Sequence, residues 1–162
     1  MEFNNDTALI TGSSGGIGEE FAVQLAQRGA NLVLVARRAD KLEALRDRLA
    51  AKHPGIVIDV ITADLAVPGS GAELETRIRE LGRTIDVLVN NAGIGLHAKF
   101  VDQRPEANAG QIQLNCGTLV DLTARFLPPM TARRHGIVIN VASTAAFQPA
   151  PGMAVYGATK AF

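Results

Sequence analysis

Five short apolar runs, rich in β-branched residues, alternate along the chain with longer stretches of helical spacing. The runs are Thr7 to Thr11, Asn31 to Ala36, Ile56 to Thr62, Ile85 to Val89 and Ile137 to Val141. Runs that are apolar throughout suit strands buried on both faces. Strand–helix alternation predicts a parallel sheet covered by helices on each side, joined by right-handed crossovers. The expected class is therefore α/β, a doubly wound parallel sheet with five recognisable strands. The chain's 162 residues suit one domain spanning 1–162, and 47% apolar residues supply its core.

The helical stretches carry their own signals. Ile17, Phe21 and Leu25 repeat every four residues, and Gly29 then stops that helix. Leu42, Leu45 and Leu49 form a second stripe, with Asp40 and Glu43 ahead of it resembling a capping box. Leu74, Ile78 and Leu81 form a third. Leu119, Leu122 and Phe126 form a fourth, which Pro128-Pro129 is expected to close. Residues 94 to 111 are the least patterned and read as a loop running into a helix.

Thr11-Gly12-Ser13-Ser14-Gly15-Gly16-Ile17-Gly18 joins the first strand to the first helix. A helix N-terminus offers free N–H groups and partial positive charge, which together hold a pyrophosphate. Glycine lets the backbone turn sharply and come close to the phosphates. No Lys-Ser/Thr follows, so this is not an ATPase-type phosphate loop. Nor is it G-x-G-x-x-G, because Phe21 stands at the third glycine. The plainer alternative is an ordinary glycine-rich turn. The second strand ends in Arg37-Arg38, where an acidic residue would select NAD and an arginine would take the 2′-phosphate of NADP. We expect NADP(H) to be preferred over NAD(H), with Arg37 the main contact and Arg38 a second. Solvated surface charge is the bland alternative for both. Asp40 competes as a ribose ligand, although a helix cap is the simpler role.

Tyr156-Gly-Ala-Thr-Lys160 places a phenol and an ammonium four residues apart, on one face if the segment is helical. A neighbouring cation lowers a phenol's pKa from about 10 towards working pH. Such a tyrosine can give or take a proton at a carbonyl–alcohol centre. Ser143 ends the strand IVINVAS, and a hydroxyl there can hold a substrate oxygen. Asn90-Asn91-Ala92-Gly93 and Asp64-Leu65 follow the fourth and third strands. Each has a plainer reading: a packing tyrosine, a turn-capping serine, a loop asparagine. Their order along the sheet's carboxyl edge favours function.

The set Thr11 to Gly18, Asp64-Leu65, Asn90 to Gly93, Asn115, Ser143 and Tyr156 to Lys160 resembles the short-chain dehydrogenase/reductase family over the whole chain, in order and at the family's spacing. The resemblance implies a Rossmann-type NAD(P)-binding fold. It implies a catalytic tetrad of Asn115, Ser143, Tyr156 and Lys160. Tyr156 would be general acid in carbonyl reduction and base in alcohol oxidation, and Ser143 would orient the substrate oxygen. Lys160 would tune Tyr156 and bind the nicotinamide ribose. Asn115 would hold a water in a proton relay, its alternative being a buried asparagine at a helix kink. Gly12, Ser13, Ser14, Gly16, Ile17 and Gly18 would hold the phosphates, Asp64 and Leu65 would border the adenine, and Asn91, Ala92 and Gly93 would lie under the cofactor. The substrate would be a small carbonyl or alcohol compound. The stretches ARRADKLEAL and FQPAPGMAVYGATKAF most resemble bacterial-type reductases of unassigned substrate.

Family members continue past the Tyr–Lys segment with more helix, two strands and a lid. The chain stops at Phe162. A C-terminally truncated domain is therefore expected, with IVINV as an open apolar edge, a helix of about two turns, and a substrate pocket short of one wall. A homo-oligomer, dimer or tetramer, is expected of the full-length chain. The alternative function is a truncated, catalytically inactive domain that binds a dinucleotide or a partner.

The remaining features narrow the setting. The formal net charge is zero, which speaks against nucleic acid or acidic membrane as partner. No apolar run approaches the ~18 residues a bilayer needs, and the first ten residues lack a signal-peptide pattern. One cysteine, Cys116, permits no internal disulfide and fits the cytoplasm. Cys116 reads as a small buried residue. His53, His97 and His135 lack metal-ligand spacing and read as surface or loop residues, so no metal is expected. His97 has a minor option of lining the substrate site.

Overall fold

In the computed structural model, which describes residues 2–162, the five strands are β1 (Thr7–Thr11), β2 (Asn31–Ala36), β3 (Ile58–Thr62), β4 (Val87–Asn90) and β5 (Ile137–Asn140). They form one parallel sheet in the order β3-β2-β1-β4-β5. Helices α1 (Gly16–Gln27), α2 (Ala39–Lys52), α3 (Ser70–Glu80), α4 (Pro105–Ile112), α5 (Thr118–Arg133) and α6 (Ala154–Ala161) complete it, with a π-helical turn at Gln113–Gly117 and single 3₁₀ turns at Phe100–Asp102 and Thr144–Ala146. This is the doubly wound α/β fold the alternation predicts.

Alternation of side chains along each strand divides the apolar residues between two layers. Ala8, Ile10, Leu32, Leu34, Val87 and Val89 face one side, under Ala22 and Leu25 of α1 and Leu42, Leu45 and Leu49 of α2. Leu9, Val33, Val35, Ile61 and Leu88 face the other, under Leu74 and Ile78 of α3 and Leu122, Phe126 and Met130 of α5. The strand order reverses at β1, where β2 lies on one side and β4 on the other. In open α/β sheets that reversal opens a crevice at the carboxyl edge.

The structure corrects several local expectations. The buried face of α1 is Gly18, Ala22, Leu25 and Ala26, and Ile17 is 60% exposed. Small residues are needed there because α1 lies close on the sheet. Asp40 does not cap α2: Arg38 holds the cap position without a side-chain bond, and Asp40 sits in the first turn, where its charge still suits the helix dipole. Leu81 is exposed just beyond α3. Pro128 and Pro129 do not close α5, which runs on to Arg133. Their rings lie on the exposed side, where water can take the carbonyls that lose an N–H partner. The helix ends instead at Arg134 in the left-handed region, with the His135 N–H donating to the Met130 carbonyl. β3 starts two residues later than its apolar run, and β4 is shifted to Val87–Asn90. β5 is an edge strand paired with β4 alone among the described residues, and it is only half-buried.

Candidate active site

The carboxyl ends of β1 and β4 are latched together. Thr11 Oγ1 accepts from the backbone N–H of Asn91 and of Ala92, at 3.0 Å each, and donates to the Val89 carbonyl at 3.1 Å. Asn91 Nδ2 donates back to the carbonyls of Thr11 (2.8 Å) and Gly12 (3.2 Å). Two glycines make this close approach possible. A Cβ on Gly12, whose φ is +68°, would lie 2.8 Å from Asn91 Nδ2 and 2.9 Å from the Ala92 Cα. A Cβ on Gly18 would collide with the Gly12 carbonyl oxygen. No side chain caps α1, so its first N–H groups remain open to a ligand.

Beside this turn lies a cleft of about 310 Å³. Gly12, Ser14, Arg37, Arg38, Asp64, Leu65, Ala92 and Gly93 line it, so residues picked from four separate motifs share one wall. Arg38 is fixed there: its Nη2 donates to the Ser14 carbonyl at 2.9 Å and to Ser14 Oγ at 3.1 Å. Asp64 Oδ1 accepts from the Ala66 N–H at 3.0 Å and shapes the turn after β3. Leu65 is buried, and its carbonyl accepts from Thr118 Oγ1 at 2.6 Å. Ser13 differs from its expected place. It is fully buried, and both its N–H and its hydroxyl point to the Val35 carbonyl, so its side chain braces the turn against β2. Gly16 and Ile17 open α1 beyond the residues that line the cleft, and Ile17 is exposed.

The residues expected to form the tetrad lie at the same edge. α6 carries Tyr156 and Lys160 one turn apart and packs against α4 and the 3₁₀ turn after Ser143. Lys160 Nζ donates to the Val141 carbonyl at 2.8 Å, just past β5. A Cβ on Gly93 would lie 3.3 Å from Lys160 Nζ and 3.1 Å from Asn115 Oδ1, so ammonium and amide flank the same backbone point. Asn115 is buried in the π-helical turn, a distortion that often marks functional sites. Its Oδ1 accepts from the Ile94 N–H, and its Nδ2 donates to the Ile94 carbonyl and to Thr159 Oγ1, each at 2.9 Å. Ser143 Oγ accepts from the Ala145 N–H at 3.2 Å, which sets its hydroxyl at the start of the 3₁₀ turn. The ring of Tyr156 rests on Gly95, where a Cβ would come within 3.0 Å of the ring.

Sequence reasoning missed Thr11 as a latch, Thr159 as the brace of Asn115, and Gln111, whose Oε1 accepts from the Leu96 N–H at 2.8 Å. The signal available was a polar residue on an otherwise buried position, which is visible only once the buried face is known. Cys116 is half-buried, and its thiol lies 3.6 Å from the Thr159 carbonyl. Burial pushes that thiol up, partly offset by Lys160, which makes it a poor nucleophile. His97 is exposed beside Gly152, whose carbonyl accepts from the Ala98 N–H at 2.9 Å. His135 lies at the opposite edge of the sheet, 2.7 Å from Asp6 and in a group that includes Asp86. Asp86 is already engaged by Arg133 at 3.1 Å and by the Thr7 N–H at 3.0 Å, so this group is an ion-pair network.

Comparison with known proteins agrees with this geometry. The family model described as short chain dehydrogenase matches residues 6–162. A very-long-chain 3-oxoacyl-CoA reductase of Emericella nidulans is 33% identical over 159 residues, covering 96% of this chain and 45% of that protein. The bulky-bulky ketone specific alcohol dehydrogenase of Comamonas testosteroni is 42% identical with a TM-score of 0.91, covering 98% of this chain and 63% of that one. A short-chain dehydrogenase of Sphingobium yanoikuyae, solved in complex with NADPH, is also 42% identical, with a TM-score of 0.89 over 97% of this chain and 61% of that one. The chain thus spans about half the length of the curated relative. No helix among the described residues is long and apolar enough to cross a membrane. Sheet order, glycine turn, clustered Asn, Ser, Tyr and Lys, and a family match over nearly every residue converge: the chain belongs to the short-chain dehydrogenase/reductase family.

Proposed function

We propose that this protein is an NADPH-dependent oxidoreductase that interconverts a carbonyl and an alcohol on a small substrate. The observation that carries this reading is the juxtaposition at one sheet edge of Asn115, Ser143, Tyr156 and Lys160 with a cleft bearing Arg37 at its rim. The bound nicotinamide would supply or accept the hydride. The residues fit such a cofactor, since the close approach at Gly12 and Gly18 and the open N-terminus of α1 form a phosphate cradle. Arg37 pairs with a 2′-phosphate, a charge a carboxylate would repel, and Arg38 holds Ser14 and the turn beside it. Asp64 and Leu65 border the adenine, and Ala92 and Gly93 floor the cleft.

Ser143 donates to the substrate oxygen and sets it against the phenol of Tyr156. Tyr156 gives its proton to that oxygen in reduction and takes it back in oxidation. Lys160, anchored on the Val141 carbonyl, presents its charge beside Gly93 and holds the nicotinamide ribose. Asn115 is committed to Ile94 and Thr159, so its part is to hold the backbone from which a proton-relay water would hang.

The lone thiol suits a reducing compartment, and the cytoplasm is the proposed setting. Val120 and Leu127 lie exposed two turns apart on α5, which supports a homo-oligomer built on that helix. The test is NADPH oxidation over a panel of aldehydes and ketones. Wild type turns over, Tyr156→Phe does not while still binding NADPH, and Arg37→Ala cuts the NADPH/NADH preference by roughly tenfold or more, as loss of a charge-assisted pair requires. NADPH binding without turnover on any carbonyl would leave a nucleotide-binding domain instead. An unchanged NADPH/NADH ratio in Arg37→Ala would overturn the cofactor assignment.

A further inference from the structure

Gln111 is the one fully buried residue of α4, at 0% exposure, on a helix that otherwise borders solvent. A long amide in such a place needs a reason. Its Oε1 accepts from the Leu96 N–H at 2.8 Å, while its Nε2 finds no partner among the described residues. An orphaned buried donor is a cost, so the bond to Leu96 is what the side chain is there to make. Asn115, four residues on, makes the matching pair of bonds to Ile94. The two amides therefore grip the segment after β4 on either side of Gly95. Gly95 is the point on which the ring of Tyr156 rests, with a Cβ there coming within 3.0 Å of Cδ2 and 3.2 Å of Cε2.

We propose that Gln111 is a positioning residue for Tyr156: by pinning Leu96 it fixes the height of the Gly95 backbone, and so the placement of the phenol that exchanges a proton with the substrate. The inference rests on the reading of Tyr156 as the acid–base residue. Small displacements at such a centre are costly, since a shift near 1 Å can lower a rate by about 100-fold. Gln111, Leu96 and Gly95 are not among the residues that line the cofactor cleft, whose wall on this segment ends at Ile94.

The chain has one tyrosine and no tryptophan, so the tyrosine band in near-ultraviolet circular dichroism reports on Tyr156 alone. Two variants of this 162-residue chain decide the matter. Gln111→Met fills the same volume without the acceptor, and Gln111→Glu, buried and protonated, keeps a carbonyl acceptor for Leu96. The expected result for Gln111→Met is a weakened tyrosine band, faster hydrogen exchange at the Leu96 amide, and a kcat down about tenfold with the KM for NADPH unchanged. Gln111→Glu restores all three towards wild type. A Gln111→Met chain that keeps the tyrosine band and kcat overturns the proposal. So does a loss of kcat that tracks melting temperature and is no better in Gln111→Glu. If wild type shows no turnover, the acid–base reading falls, and the tyrosine band and the Leu96 exchange still decide whether Gln111 sets the ring.

Discussion

Single hydroxyls and amides set the geometry of this site more than the residues that would touch a ligand. Thr11 is the plainest case. It is buried, and its oxygen serves two N–H groups of the β4 loop while donating to Val89. Thr11→Val keeps the shape and strands the Ala92 N–H, so it should lower stability by about 1–3 kcal/mol in urea titrations and weaken NADPH binding in the same chain. Thr11→Ser should recover most of both, and equal stability in the valine variant would show that the latch is dispensable. Arg37 and Asp64 at the cleft and Tyr156 on α6 were legible as candidates in the sequence, because each follows a strand end or sits at a telling spacing. Thr11, Thr159 and Gln111 were not, because their partners lie far along the chain: 78, 44 and 15 residues away for the bonds to Val89, Asn115 and Leu96. Ser13 shows the converse. It belongs to the motif by position, yet the turn's geometry points it into the core.

At the scale of elements, the strands were readable and the helix faces only partly so. A strand buried on both sides announces itself as a continuous apolar run, whereas a helix lying close to a sheet buries its small residues. Hence α1 turns Gly18 and Ala22 inward and leaves Ile17 outside, against the larger-residue pattern. The prolines of α5 misled for a similar reason: they interrupt hydrogen bonds only where the helix faces water, while Phe126 and Met130 keep the other face in the core. The α1–β1 junction yields a direct test. Gly18→Ala forces a methyl against the Gly12 carbonyl and the Asn91 amide, both held by the β1–β4 latch. The element must shift off the sheet, so the variant should lose about 1–3 kcal/mol, as overpacking does, and NADPH affinity should fall at least as steeply. Gly16→Ala, with nothing within 4 Å of its Cβ, meets only the penalty of its φ of +59°. The steric argument fails if that variant is the worse of the two.

Across the whole molecule, the two edges of the sheet do different work. The carboxyl edge gathers the cleft and the Tyr156–Lys160 helix. The opposite edge ties the start of β1, the start of β4 and the end of α5 through Asp6–His135 and Asp86–Arg133. The hydrogen bond to Asp6, with the charges of Asp6 and Asp86, raises the pKa of His135 above its ordinary value, against opposing effects from Arg133 and desolvation. An imidazole whose pKa is raised in the folded state adds stability that is fully present below its unfolded value of about 6.5 and is lost as the pH climbs through the folded one. Melting temperature measured against pH for wild type and His135→Gln should therefore differ most on the acid side and converge as the pH rises. Because Asp6 and His135 sit a full strand length from the cleft, NADPH affinity in the two proteins should coincide at every pH. A gap that widens with rising pH would reverse the sign assigned to the Asp6 pair, and a pH-dependent difference in NADPH affinity would mean that the two edges are coupled through the sheet.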